Sequence, residues 1–389
     1  MKLRVRLAAA VLGAAAVPMG LAPGASARLP PIKHVWIIVL ENQGFDKTFG
    51  FRSPAPFLSK KLPAMGAFVP GYYGVAHQSF PNYAAIVSGQ GANPISQADC
   101  IPIYENVEPG SVGPDGQAMG AGCVYPTAVK SIADQLMGAG LTWKGYMEDM
   151  GNGPPGTPKT CRHPQLGQTD PTQTARKGDQ YASRHNPFVY FHSLIDTPAC
   201  AQFDVPLTEL QPDLSSASGT PSYSLIVPNL CDDGHDAPCV DGRPGGLRSA
   251  DAFLRTWVPR ITRSRAYNAG GLLIVAFDES DGTDASACCG EPQFPNTPNN
   301  GGEFPGRGGG HVGAVMLSPY IDPGPVDHVQ YNHFSLLRSV EDLFGLGHLG
   351  YAAQPGLRAL GSDLFTCYRA RKPRVSRAPV TAVCAEARR

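Results

Sequence analysis

The stretch His34-Val35-Trp36-Ile37-Ile38-Val39-Leu40 runs straight into Glu41-Asn42. Its continuous apolar character, rich in β-branched residues, is how a strand buried on both faces reads. The same pattern recurs at Tyr223 to Val227, Gly271 to Phe277 and 312–317, each bounded by turn-forming residues. Helical spacing lies between these runs. Residues 247–261 place Ala250, Phe253, Leu254, Trp257, Val258 and Ile261 on one face, and 334–343 do the same with Leu336, Leu337 and Val340, continued by Phe344. Strands alternating with helices predict an α/β fold, a three-layer sandwich with a central, mostly parallel sheet and helices on both faces.

Two stretches rich in Pro, Gly and Asn, 151–158 and 281–310, leave little room for regular structure. No repeat, charge block or linker interrupts the chain, so a single domain over 28–389, with elaborated loops and a short C-terminal tail, is expected. Before it, Met1-Lys2-Leu3-Arg4-Val5-Arg6, an apolar run and Ala25-Ser26-Ala27 read as a secretory signal peptide over 1–27. Pro18, Gly20 and Pro23 break that run, and no later stretch has the length of a transmembrane helix, so a secreted protein without an integral membrane segment is expected.

The chain carries 32 basic and 32 acidic residues, a formal net charge of +0, so no whole-molecule field favours nucleic acid or an anionic surface. An anionic substrate would have to be recognised locally. The 10 cysteines suit export. Connectivity is not readable from spacing; the pairs put forward are Cys231 with Cys239, closing a short loop around Asp233, His235 and Asp236, and Cys367 with Cys384 on the tail. A metal-thiolate site is disfavoured, because no pair has C-x-x-C spacing.

In open α/β sheets ligands gather beyond the carboxyl ends of strands. Glu41-Asn42 follows the first run, Asn229 follows Tyr223 to Val227 and Pro228, and Asp278-Glu279 follows Gly271 to Phe277. If these strands are parallel neighbours, two carboxylate-bearing dipeptides meet on one rim and offer hard oxygen donors to a divalent cation. Taken singly, each dipeptide is equally a strand end capping the next helix. Ser79, in His77-Gln78-Ser79-Phe80-Pro81-Asn82-Tyr83, lies just before an expected helix that Pro81 opens and Gly89 closes. There, unpaired N–H groups would favour phosphate or an alkoxide, although Ser79 or Phe80 as an ordinary N-cap accounts for the local pattern as well. Only a metal within reach would make this hydroxyl a good nucleophile near neutral pH.

His185, His235 and His311 lie in loops rather than on apolar faces. His235, flanked by acids, is expected to hold its proton and suits a general acid. His333 precedes an amphipathic helix, and capping or packing is its expected job.

The ordered set Glu41-Asn42-Gln43-Gly44-Phe45-Asp46 with Phe49-Gly50, Ser79-Phe80-Pro81-Asn82-Tyr83, Trp143-Lys144-Gly145-Tyr146-Met147-Glu148-Asp149, His185-Asn186-Pro187-Phe188, Asp233-Gly234-His235-Asp236, Asp278-Glu279 and His333-Phe334-Ser335-Leu336-Leu337-Arg338 resembles the phosphoesterases that include bacterial and fungal acid phosphatases and phospholipases C, within the alkaline phosphatase superfamily. The resemblance implies an alkaline-phosphatase-like fold and one divalent metal ion bound by Glu41, Asn42, Ser79, Asp278 and Glu279. It implies that Ser79 attacks phosphorus, that His185 and His235 line the phosphate site with one of them protonating the leaving oxygen, and that the reaction passes through a phosphoserine. His77 and His311 are additional candidate substrate contacts. Gly44 and Gly234 depart from the residues frequent at those places.

The resemblance favours a phosphomonoesterase acting on a small phosphorylated substrate, because little follows the helix ending near Leu346. A phospholipase C-type diesterase acting on a phospholipid is the alternative within the class. A sulfatase would need Arg two residues after Pro81, where Tyr83 stands. A secreted binding module would be expected to lack the nucleophile or a ligand, and none is missing.

Overall fold

The computed structural model describes residues 29–361 and 363–366. The signal-peptide segment and the Cys367 to Cys384 pair therefore lie outside the described residues.

Seven strands form the central sheet: β1 (His34–Leu40), β2 (Ala67–Val69), β3 (Trp143–Met147), β4 (Asp204–Pro206), β5 (Tyr223–Val227), β6 (Gly271–Phe277) and β7 (Ala314–Leu317). Their spatial order is β2-β7-β6-β1-β5-β3-β4. Pairings from β6 through β1, β5 and β3 to β4 are all parallel. Three of the four apolar runs have the boundaries expected from sequence. The fourth is shorter, starting at Ala314, and runs antiparallel to both β6 and β2. Apolar content alone could not reveal that reversal, because a strand buried on both faces reads the same in either direction.

Every residue of β1 and β6 is buried, so both faces of the sheet are covered. The long amphipathic helix is Gly246–Thr262, and the later one is His333–Phe344, each within a residue or so of expectation. Among the described residues, no helix is long and apolar enough to cross a membrane.

Two features of the sheet set the position of the site. β1 and β6 pair in register to their last residues, Leu40 opposite Phe277, and the Asp278 N–H donates to Leu40 O at 2.9 Å. Glu41-Asn42 and Asp278-Glu279 thus leave the sheet side by side. Over this rim lies the helix Ser79–Ser88, buried along its whole length and closed by Gly89 in the left-handed region at φ +67°. The stretch 281–310 forms no helix or strand and lies against the same rim, where Gly309 accepts from Ser280 N–H and donates to Gly74 O.

Four disulfides are present among the described residues. Cys231–Cys239 is formed as expected; Cys100–Cys123, Cys161–Cys200 and the adjacent pair Cys288–Cys289 were not legible from spacing.

Candidate active site

Ser79 is the first residue of its helix rather than the residue before it, and Gln78 occupies the N-cap position without a side-chain cap. The Ser79 hydroxyl donates to Glu41 Oε2 at 2.7 Å and lies 3.4 Å from Asn42 Oδ1. Asn42 sits at φ +40°, in the left-handed region that Asn tolerates better than most side chains. That conformation turns its N–H onto Asp278 Oδ1 at 3.1 Å and its side-chain amide onto Glu279 Oε1 at 3.2 Å. Five residues from three separate segments therefore meet: Glu41, Asn42, Ser79, Asp278 and Glu279.

The helix end is already occupied. Asp99 Oδ1 accepts the Phe80 N–H at 2.9 Å, and Arg184 Nε lies 3.5 Å from the other Asp99 oxygen. The expectation that free N–H groups there would hold phosphate is thus corrected: a carboxylate from the chain itself caps the helix and complements its dipole. Asp99 carried no sequence signal, being a single acid in a loop ahead of Cys100.

Tyr83 is the second residue that local reading passed over. One turn along the helix from Ser79, it donates from its hydroxyl to Glu41 Oε1 at 2.5 Å. Its i,i+4 spacing from Ser79 is the signal that would have found it.

The histidines divide. His185, expected in an exposed loop, is buried; its ring stacks on Tyr83 with centroids 5.4 Å apart, and Nε2 is 3.5 Å from Glu41 Oε2. Desolvation, with the Arg184 charge adding to it, lowers its pKa well below the usual value, so it is neutral. His235 is half-exposed on the far wall, with Nδ1 3.0 Å from Asp236 Oδ1, and that hydrogen bond raises its pKa above 6.5. His77 presses its Nδ1 against Glu279 Oε2, with Nε2 3.0 Å from Asp284 O. His311 is not brought to the site. It is stacked between Phe45 and Tyr73, and its Nε2 contacts Pro70 O at 2.5 Å.

Asn229 also faces elsewhere: its N–H and amide are committed to Glu148 and Asp149. Its side-chain oxygen accepts from Cys231 and Asp232 and so folds the turn leading to Asp233. His333 is buried, with Nε2 2.5 Å from Asp278 O and Nδ1 3.1 Å from the Tyr72 hydroxyl, so beyond the expected packing it ties the helix to the rim.

The two glycine departures have local reasons. A Cβ on Gly44 would come 2.7 Å from Ser280 Oγ and 2.8 Å from Asp281 Oδ1, so a side chain there would have to displace the Ser280 and Asp281 side chains. Gly234 lies at φ +114°, a conformation that lets the chain turn from buried Asp233 to His235 at the surface.

A cleft of about 400 Å³ opens above these groups, lined by Asn42, Lys47, His77, His235, Glu279 and Phe304 among others. Glu279, Asp281 and Glu303 make its lining acidic, while Ser79, Glu41, Asp278 and Asp233 are buried and do not line it. Burial raises the pKa values of Glu41, Asp278, Glu279 and Asp233 well above the ordinary carboxylate range, with neighbouring carboxylates adding to the shift. Asp278 Oδ2 and Asp233 Oδ2 are buried without a hydrogen-bond partner. Unpartnered buried carboxylate oxygens are costly, and a bound cation removes that cost.

The donor set of three carboxylates, an amide oxygen and a hydroxyl therefore fits a divalent ion. Its ligand atoms are not drawn into a tight cage. Groups of three or more His, Cys, Asp or Glu within 4.8 Å of one another are, among the described residues, Cys231–Cys239–Asp241 and Cys288–Cys289–Glu291. In both the sulfurs are joined as disulfides, which leaves no thiolate to ligate.

Fold and rim together define an α/β architecture with a mostly parallel central sheet and a hydroxyl nucleophile candidate over an acidic strand-end cluster. A solved structure from Bacteroides thetaiotaomicron, described with the metabolism of multiple glycosaminoglycans, shares the fold at TM-score 0.50 and 11% identity, covering 87% of this chain and 82% of that one. A protein in the alkaline phosphatase superfamily from Vibrio parahaemolyticus aligns at TM-score 0.46 and 13% identity, over 82% of this chain and 68% of that one.

The Phosphoesterase family matches residues 51–347; the chain belongs to that family and is a hydrolase acting on phosphoric ester bonds. It is 26% identical over 349 residues to a phosphatidylinositol-3-phosphatase of Mycobacterium tuberculosis, covering 89% of this chain and 88% of that protein. It is 24% identical over 290 residues to a phosphate-repressible acid phosphatase of Penicillium chrysogenum, covering 75% of this chain and 55% of that protein. The chain thus spans little more than half the length of this fungal relative.

Proposed function

We propose that this phosphoesterase is a secreted phosphomonoesterase, formed as one catalytic domain, that works through a phosphoserine on Ser79. The observation that carries the reading is the 2.7 Å contact of Ser79 Oγ with Glu41 Oε2 at the place where Asn42, Asp278 and Glu279 converge. Glu41, Asn42, Ser79, Asp278 and Glu279 would hold one divalent ion. When bound, that ion lowers the pKa of the serine hydroxyl and offsets charge on the phosphoryl oxygens.

Ser79 Oγ gives up its proton toward Glu41 and forms the new bond to phosphorus, while the ester P–O bond breaks. The leaving oxygen takes its proton from His235, whose pKa the Asp236 contact raises and which stands half-exposed at the cleft wall where a leaving group would depart. Water then attacks the phosphoserine, giving its proton to His235; the Ser79 Oγ–P bond breaks, Ser79 Oγ takes its proton back from Glu41, and inorganic phosphate is released. His185 remains neutral and holds the Tyr83–Glu41 pair in place from behind.

A phospholipase C-type diesterase remains the second reading, since one wall of the cleft is Phe304 and a second ester substituent would lie against it. Hydrolysis of an aryl phosphate, an aryl phosphodiester and phosphatidylcholine, with and without chelator, separates the two. The monoester is expected to be cleaved fastest, in a chelator-sensitive way, and Ser79→Ala is expected to abolish turnover and phosphoenzyme trapping. Full activity in Ser79→Ala would remove the nucleophile from the mechanism.

A further inference from the structure

Phe51 is 92% exposed, although it lies only two residues beyond the helix Phe45–Phe49 that leaves the active-site rim. Behind it the surface is aromatic. Phe49 and Phe68 sit with ring centroids 4.9 Å apart, Phe45 stacks on Phe68 at 6.1 Å, and Val326, itself 48% exposed, bridges to Phe68. These three rings are half-buried, so the apolar surface continues outward from them instead of ending in the core.

The charge of the same segment is one-sided. Residues 46–64 carry Lys47, Arg52, Lys60 and Lys61 against a single carboxylate, Asp46, in a chain whose overall charge is zero. Lys47 is paired with Asp281 at 3.2 Å. Arg52, Lys60 and Lys61 are exposed and make no ion pair among the described residues. An exposed aromatic side chain next to Arg52, in a segment whose 57–61 turn carries the unpaired Lys60 and Lys61 and packs against the Phe45–Phe49 helix, has the composition of an interfacial anchor. The ring enters the headgroup region while the cations meet lipid phosphates.

We infer that the face bearing Phe51, Arg52, Lys60 and Lys61 docks the protein on an anionic lipid bilayer, next to the mouth of the cleft. Charge complementarity selects this occupant: a neutral apolar partner would leave three cations uncompensated, whereas an anionic bilayer satisfies both halves of the patch. The surface lies outside the catalytic cluster, so docking and turnover of a small soluble ester are separable. Docking would set which esters reach the cleft, by concentrating those embedded in the same leaflet.

The experiment is co-sedimentation of the full chain with vesicles of phosphatidylcholine alone and of phosphatidylcholine mixed with phosphatidylglycerol, at low and high salt. Wild type is expected to partition onto the anionic vesicles at low salt and to be released at high salt. Arg52→Gln/Lys60→Gln/Lys61→Gln is expected to lower that partitioning on the order of a hundredfold, and Phe51→Ser roughly tenfold. Aryl phosphate turnover should be unchanged in both variants, which separates this inference from the catalytic reading. Wild type that stays in the supernatant with anionic vesicles, or that binds phosphatidylcholine alone equally well, overturns the proposal. So does a dimer in sedimentation velocity that Phe51→Ser dissociates, because the face would then belong to a second copy of the chain.

Discussion

The Tyr83 hydroxyl donates to Glu41 Oε1 at 2.5 Å, while Ser79, one helical turn earlier, holds the other oxygen of the same carboxylate at 2.7 Å. One helix thus grips both oxygens of Glu41, and the orientation of that carboxylate toward the serine depends on Tyr83. Removing the phenolic oxygen leaves Glu41 Oε1 buried and unpaired, at a cost of about 1–3 kcal/mol. Tyr83→Phe is expected to lower kcat/KM by roughly 10- to 100-fold and to weaken divalent-ion affinity in a chelator competition. Unchanged ion affinity alongside unchanged kcat/KM would remove Tyr83 from the site.

Asp99 caps the helix that presents Ser79, and Arg184 in turn faces Asp99. Asp99→Ala strips the helix of its only side-chain cap and leaves Arg184 buried without that partner. Loss of an N-cap typically costs about 0.5–2 kcal/mol. The exposed Phe80 N–H would also offer a free anion site. Thermal denaturation should register the lower stability, and inorganic phosphate should become a tighter competitive inhibitor of Asp99→Ala than of the parent.

His235 owes its raised pKa first to Asp236. A general acid is active while protonated, so its contribution is present at low pH and is lost as pH rises through that pKa. Asp236→Asn removes the cause of the upward shift, and the alkaline limb of the kcat/KM profile is expected to move to lower pH. His235→Gln should slow alkyl phosphates by about 10²- to 10⁴-fold and spare nitrophenyl phosphate, whose leaving group needs little protonation. Equal losses on both substrates would argue against a general acid.

Three carboxyls away from the catalytic cluster, Asp204 and Glu341 buried and Glu148 partly so, have pKa values pushed up by desolvation: Glu148 and Glu341 from 4.5 to about 8, and Asp204 from 3.8 to about 8. In each case the folded state binds the proton more tightly than the unfolded chain. Their stabilising contribution is therefore complete below about pH 4, falls as pH rises, and is gone above about pH 8. The fold is expected to lose stability progressively over that interval. Urea denaturation across pH 4–8 should record the decline, and Glu341→Gln, which stays neutral, should flatten it.

Much of this architecture is legible in the sequence because its signals are local. An all-apolar run ending in Glu41-Asn42, and another ending in Asp278-Glu279, specify strands and place carboxylates at their ends through the strand period alone. Gly89 marks the end of the Ser79 helix because only a left-handed residue closes it at φ +67°. The convergence of the two dipeptides was conditional on the strands being neighbours, and the pairing of Leu40 with Phe277 supplies that condition.

What the sequence determined by itself is the set of buried strands, the helix carrying Ser79 and the chemical character of the rim, since each follows from residue type and short-range spacing. The tertiary structure alone decided that the last strand of the central sheet runs antiparallel, that Asp99 caps the Ser79 helix, that His185 is buried against Tyr83 while His311 is stacked away from the cleft, and that Phe51 stands in water beside Arg52. Each of these depends on contacts between residues far apart in the chain. Their existence is set by how loops close over the sheet, and no local pattern of side chains encodes that closure.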